Sequence, residues 1–267
     1  MSKQGNRWLI QIVLLLAVAA FIGVSIIPIL GTLNAPRPQN SPENPRLADQ
    51  IRGYELVLQR EPENQTVLKQ LLQVRLQILS QKPNSEVQPA DIQGVIETLQ
   101  KLSRLNPDNL EYKVLLAQAT QQIGNTQEAS QIYRSILQTQ PGNIQSLQGL
   151  VKLELDQKRP EVAIQFLKET ISNAEKSNSV QPGSFDIIAI QLLLGRVYSS
   201  QKNPDQAISL YEEVMKQYPQ DFRPVLAKAI LLKEQGKINE AKPLFDSALT
   251  LAPAQYKDEI KNLTSGF

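Results

Sequence analysis

Proline recurs at a fixed interval in this chain, and that interval limits what can lie between. Pro107 to Pro141 is 34 positions, and Pro219 to Pro253 is again 34. Inside the first interval, Asn106 to Gly142 holds two apolar-periodic segments. Leu110, Val114, Leu115, Leu116, Ala119 and Ile123 define one, and Ala129, Ile132, Tyr133, Ile136 and Leu137 the other. Both keep the three-and-four spacing of an amphipathic helix. Gly124-Asn125 supplies a left-handed turn between them, Thr126 is expected to cap the second helix, and the prolines stop the helices ahead of them. The product is a pair of antiparallel helices. Neither buries its apolar face alone, so copies of the pair must stack.

Counting back from each proline places an alanine in every second helix, at Ala129, Ala163, Ala207 and Ala241. Four residues later stand Tyr133, Leu167, Tyr211 and Phe245. The first helices carry Leu194-Gly195 with Tyr198, against Leu116-Ala117 and Lys228-Ala229 elsewhere. A 34-residue helix-turn-helix unit with small residues at fixed places and a closing proline resembles the tetratricopeptide repeat, here over about residues 47–253. The resemblance implies an all-α fold, a right-handed superhelical solenoid, with repeats over about 64–107, 108–141, 142–175, 185–219 and 220–253. Leu47 to Arg60 reads as a second helix without its first, an amino-terminal cap, and Ala254 to Leu263 as a charged carboxyl-terminal cap within the tail 254–267.

Two stretches depart from the period. Pro62 to Pro107 is 45 positions, and the excess falls at 80–90, a loop marked by two prolines and an Asn-Ser pair. Pro141 to Pro219 is 78 positions, or twice 34 plus 10, with a polar insertion at 172–184. That insertion either bends the stack or lets the preceding helix run on. Pro160 fits a first helical position, where a missing N–H costs little.

Ahead of the repeats, residues 1–7 form a short basic tail, and Trp8 to Leu33 carry no formal charge. About 20 apolar residues cross a bilayer core, so residues 8–33 are expected to be a transmembrane anchor. Trp8, Lys3 and Arg7 suit its amino-terminal flank. A cleaved signal peptide is the rival, but its apolar region is usually shorter, and Leu33-Asn34-Ala35 is a poor cleavage site. Residues 34–46 form a proline-rich linker. The small basic bias before the span leans the repeats to the non-cytoplasmic side of a plasma or thylakoid membrane.

The chain has 28 basic and 26 acidic residues and neither cysteine nor histidine. Balanced charge argues against nucleic acid as a partner, which needs a basic face. Without thiols or imidazoles there is no thiolate metal site and no usual general base. No phosphate loop, nucleophile elbow or metal-spaced carboxylate cluster is present, so neither an enzyme nor a cofactor is expected.

The resemblance points to a partner protein bound along the concave wall of first helices. Carried onto this chain, the groove positions are Lys69, Gln73 and Gln77, then Gln118, Gln121 and Gln122. Gln145, Gln148, Lys152, Arg196, Ser199, Arg223 and Lys233 complete the set, with Glu111, Asp156, Leu192, Leu226 and Ile230 beside them. Glutamine amides both donate and accept, suiting a peptide backbone, although glutamine is also simply a soluble helix former. Five basic against two acidic residues favour a mildly acidic segment. The expected function is a membrane-anchored scaffold that helps assemble or stabilise a membrane protein complex, similar to members from photosynthetic membranes. The alternatives are a periplasmic holdase or translocon-associated subunit, or an exported soluble binding protein.

Overall fold

The structure, a computed structural model, describes residues 45–83, 85–201 and 203–264. The described residues form twelve helices and no strand. They are α1 (Pro45–Arg60), α2 (Gln65–Gln81), α3 (Pro89–Leu105), α4 (Leu110–Gln122), α5 (Thr126–Thr139) and α6 (Ile144–Asp156). The series continues with α7 (Pro160–Val180), α8 (Ile187–Ser200), α9 (Pro204–Gln217), α10 (Phe222–Glu234), α11 (Ile238–Leu251) and α12 (Ala254–Thr264). The chain divides into two compact units, residues 1–129 and 130–267. In the first, α1 packs on α2, α2 on α3 and α3 on α4. In the second, each helix from α6 to α12 packs on the next, and the first helices α6 and α10 also touch α8.

The recurring proline is the second residue of a tight turn, where its fixed φ is pre-organised. Asn64 N–H donates to Glu61 O at 3.1 Å, Asn109 to Asn106 O at 3.0 Å, Asn143 to Gln140 O at 3.0 Å and Asp221 to Tyr218 O at 3.1 Å. The last residue of each turn then caps the next first helix. Asn64 accepts from Val67 N–H at 3.1 Å, Asn143 from Ser146 N–H at 3.0 Å and Asp221 from Arg223 N–H at 2.9 Å. Asn109 takes both Glu111 and Tyr112 amides, at 3.1 and 3.4 Å. A proline followed two places later by Asn or Asp is therefore the start signal of α2, α4, α6 and α10. Helix α8 keeps only the cap, Asp186, which accepts from Ala189 N–H at 3.1 Å.

Inside the hairpins the left-handed residue is Gly124 (φ 86°), Gly236 (φ 76°) or, unusually, Lys158 (φ 59°). Each is closed by an amide reaching back five residues: Asn125 to Thr120 O at 3.1 Å, Lys237 to Leu232 O at 2.9 Å and Arg159 to Glu154 O at 2.8 Å. Thr126 is not the cap expected of it. It is the first helical residue, and Asn125 caps instead, accepting from Glu128 N–H at 3.4 Å while its amide donates to the Glu128 carboxylate at 2.6 Å.

The register read from the prolines holds in the core. Ala129, Ala163, Ala207 and Ala241 are 0% exposed, and Tyr133, Leu167, Tyr211 and Phe245 at most 2%. The tyrosines occupy space that glycines leave open. A Cβ on Gly149 would stand 2.2 Å from the Tyr133 ring, and one on Gly195 2.2 Å from the Tyr211 ring.

Of the two insertions, the first narrows to the connection between α2 and α3. Its ends are tied by Lys82 and Asp91 at 3.1 Å, and Asp91 also accepts from Gln88 N–H at 3.0 Å. The second resolves in favour of helix run-on, since α7 has 21 residues against 14 in α9 and α11. Its last turn carries Asn178, whose amide donates to Phe185 O at 2.9 Å and accepts from Phe185 N–H at 2.9 Å. The Phe185 ring is thereby seated where Gly142 has no side chain.

At the carboxyl end α12 is the expected cap, with Ile260 1% exposed and the Tyr256 ring 5.2 Å from that of Phe222. Pro45 and Arg46, assigned above to the linker, begin α1. The tail, the span 8–33 and the rest of the linker lie outside the described residues. Among the described residues no helix is long and apolar enough to cross a membrane.

Candidate protein-binding surface

The predicted binding residues all lie on first helices, and the two units present them separately. On α2, Lys69, Gln73 and Gln77 are exposed at four-residue spacing, one above the other on a single stripe. On α4, Gln122 is exposed while Gln118 and Gln121 are half-buried.

In the second unit the stripes run along α6, α8 and α10. Gln145 and Gln148 are exposed on α6, and Lys152 is half-buried. Arg196 is exposed on α8, with Ser199 and Leu192 half-buried on the same stripe. Arg223 and Lys233 on α10 bracket Leu226 and Ile230, all four half-buried. Helix α8 touches both α6 and α10, so the three first helices that carry the stripes are neighbours.

The electrostatics differ from a free basic wall. Lys152 pairs with Asp156 at 2.9 Å, one turn along α6. Arg223 joins Asp221 at 2.7 Å and Asp186 at 2.5 Å, tying the start of α10 to the cap of α8. Burial alone would raise the Asp221 carboxyl, but the Arg223 hydrogen bonds outweigh it and hold the group below its ordinary range. The same bonds to Asp221 raise the Arg223 guanidinium. The Lys233 ammonium donates to the Leu263 carbonyl at the end of α12. Lys69 and Arg196 have no ion pair among the described residues, although Arg196 lies close enough to Glu234 to act on it electrostatically. The basic surplus is therefore largely spent inside the molecule, and the expectation of an acidic segment loses most of its support. The glutamines remain the outward hydrogen-bonding groups.

Sequence reasoning missed two buried polar clusters. Arg75 on α2 reaches across α3, donating to the Gly94 carbonyl and to Thr98 Oγ1 at 2.5 Å, and pairs with Glu55 of α1 at 2.7 Å. Gly94 in mid-helix was the available signal, since it lets the guanidinium approach the backbone. Glu154, 8% exposed on α6, is held by Arg159 at 2.9 Å and by Arg134 at 3.9 Å. Two shallow clefts lie away from the stripes. One of about 280 Å³ is lined by Leu58, Leu68 and Leu71 with Arg75 and Glu97, and one of about 380 Å³ by Tyr198, Asp205, Ser209, Leu210 and Glu213. Among the described residues no three acidic side chains stand close enough to hold a metal ion.

This is the anatomy of a helical-hairpin repeat protein, built to present side-chain stripes. Residues 198–263 match the family model described as the tetratricopeptide repeat. A tetratricopeptide repeat protein from Parabacteroides merdae, 16% identical, superposes with a TM-score of 0.50 over 82% of this chain and 77% of that one. A thermophilic repeat protein of Thermus thermophilus, also 16% identical, gives a TM-score of 0.44 over 74% of this chain and 97% of that one. Over 96 residues the chain is 28% identical to protein SLOW GREEN 1, chloroplastic, of Arabidopsis thaliana. That match covers 36% of this chain and 29% of the relative's length. The family match thus covers residues 198–263, and the described residues share the helical-hairpin fold of a tetratricopeptide repeat protein.

Proposed function

We propose that the chain is a membrane-anchored scaffold that holds a segment of a partner protein against its first-helix stripes, and so assists assembly or stabilisation of a membrane protein complex. The observation that carries this reading is the division of labour within the first helices. One side of each supplies the fully buried core, while the other presents exposed Gln73, Gln77, Gln145, Gln148 and Arg196 in helical register. With most basic groups internally paired, recognition rests on amide hydrogen bonds to an extended or helical segment, assisted by half-buried Leu192, Leu226 and Ile230. The stripes face inward if the repeats stack in the right-handed superhelix expected of the family. We assign no catalytic role to the chain.

The uncharged stretch 8–33 supports anchoring. The relative named as chloroplastic supports a photosynthetic membrane as the setting. Affinity purification of the tagged full chain after mild detergent extraction tests both halves. The chain should stay with the membrane pellet through a carbonate wash and bring down one partner at fixed stoichiometry. A smear of unrelated clients would mark a holdase instead, and a soluble form beginning near Pro36 an exported binding protein.

A further inference from the structure

Tyr211 is 2% exposed, yet its hydroxyl makes no hydrogen bond among the described residues. Buried polar groups are almost always partnered, so an orphaned one calls for a reason. Packing alone does not demand the oxygen, because the same place in neighbouring repeats holds Leu167 and Phe245. The ring reaches from α9 between two first helices. On α10 it packs with Leu231. On α8 it fills the space left by Gly195, where a Cβ would stand 2.2 Å from the ring and 2.9 Å from the hydroxyl oxygen.

Two exposed charges flank that hydroxyl. Arg196 follows Gly195 directly on α8, and Glu234 stands one turn after Leu231 on α10. Neither has an ion pair among the described residues. Arg196 acts electrostatically on Glu234, and both act on the Tyr211 hydroxyl with opposite sign. Three helices thus bring together a group that only donates, an ionised group that only accepts, and one that does either.

That combination discriminates between ligands. A partner carboxylate would meet Glu234 and an ammonium would meet Arg196, and like charges across an interface are costly. A primary carboxamide carries an acceptor and a donor side by side with no net charge, so it answers both groups at once. A hydroxyl this deeply buried is within reach of a side chain and not of a partner's main chain. We propose that Arg196, Glu234 and Tyr211 form a site for an asparagine or glutamine side chain of the bound partner. Its carbonyl accepts from Arg196, its amide donates to Glu234, and the Tyr211 hydroxyl adds a third hydrogen bond. The inference rests on the first-helix stripes being the binding surface, and it names what selects the segment there.

The test uses the tagged full chain in the detergent-extracted complex, with partner retention followed on dilution. Tyr211→Phe removes one oxygen and should weaken the complex about five- to tenfold, the worth of one hydrogen bond. Arg196→Glu and Glu234→Arg should each weaken it at least as much. The double variant, Arg196→Glu with Glu234→Arg, should recover most of the binding, because a carboxamide turned over meets the exchanged charges equally well. Both positions are exposed, so the charge variants should keep their helical circular dichroism and carry the test even if Tyr211→Phe loosens the core. The proposal is overturned if the double variant fails to recover. Tighter binding by Glu234→Arg would overturn it in favour of a carboxylate, and tighter binding by Arg196→Glu in favour of an ammonium. Unchanged retention in every variant, with a photo-probe on Gln73 or Gln148 still labelling the partner, would overturn the site and leave the stripes standing. No adduct from either probe in the otherwise unaltered chain would overturn stripes and site together.

Discussion

Lys158 holds φ 59° at the hairpin position where Gly124 and Gly236 sit. An L-residue pays for the left-handed conformation, and glycine does not. Lys158→Gly should therefore stabilise the protein by about 0.5–1 kcal/mol net of glycine's greater freedom when unfolded. Thermal melting should show this as a rise of roughly 2–3 °C. The buried tyrosines make a second prediction, in pH. Burial pushes the Tyr211 hydroxyl up to about 12 from 10.0, with Arg196 opposing and Glu234 adding, and burial raises Tyr133 as well. A raised group stabilises fully below the unfolded value and loses that contribution as pH climbs through the folded one. Stability should thus fall between pH 10 and 12, by up to about 2–3 kcal/mol from Tyr211. Denaturant titrations across that window should show a shallower fall in Tyr211→Phe.

At the scale of helices, packing tests the register. Ala207 is 0% exposed against Tyr211 and Leu231, whereas Ser209 is exposed on the same helix. Ala207→Leu should cost about 1–3 kcal/mol by overpacking. Ser209→Leu should leave the melting temperature nearly unchanged, and equal effects would contradict the register. That register was legible because the closing proline, the small residue and the large one recur at fixed distances, and each has a local steric cause. The run-on of α7 was legible only as one of two alternatives. Glu175 stands where proline was due, and losing a stop signal does not say where a helix ends. The asparagine caps were readable in hindsight as the second residue after each proline. The ion pairs were not. Arg223 and Asp186 are 37 residues apart in sequence, and only the packing of α8 on α10 joins them. Nor could sequence foresee that Arg134 approaches buried Glu154, so reversing its charge would disturb the core rather than a surface.

Across the whole molecule, different residues build the repeats and face outward from them. The helical stack follows from residues that bury side chains, and the proposed binding surface from those left over. Under the proposed anchoring through the uncharged stretch 8–33, the stripes would stand beside a bilayer, where a partner segment would be presented at high local concentration. Site-specific photo-crosslinking tests the central claim most directly, because the cysteine-free chain accepts a single thiol-linked probe at any position. Probes at Gln73 and Gln148, exposed on first helices, are compared with probes at Lys168 and Ser209, exposed on second helices, in the detergent-extracted complex. The account predicts adducts with the co-purifying partner from Gln73 or Gln148 and none from Lys168 or Ser209. Adducts confined to Lys168 and Ser209 would contradict it and move the binding surface to the second helices.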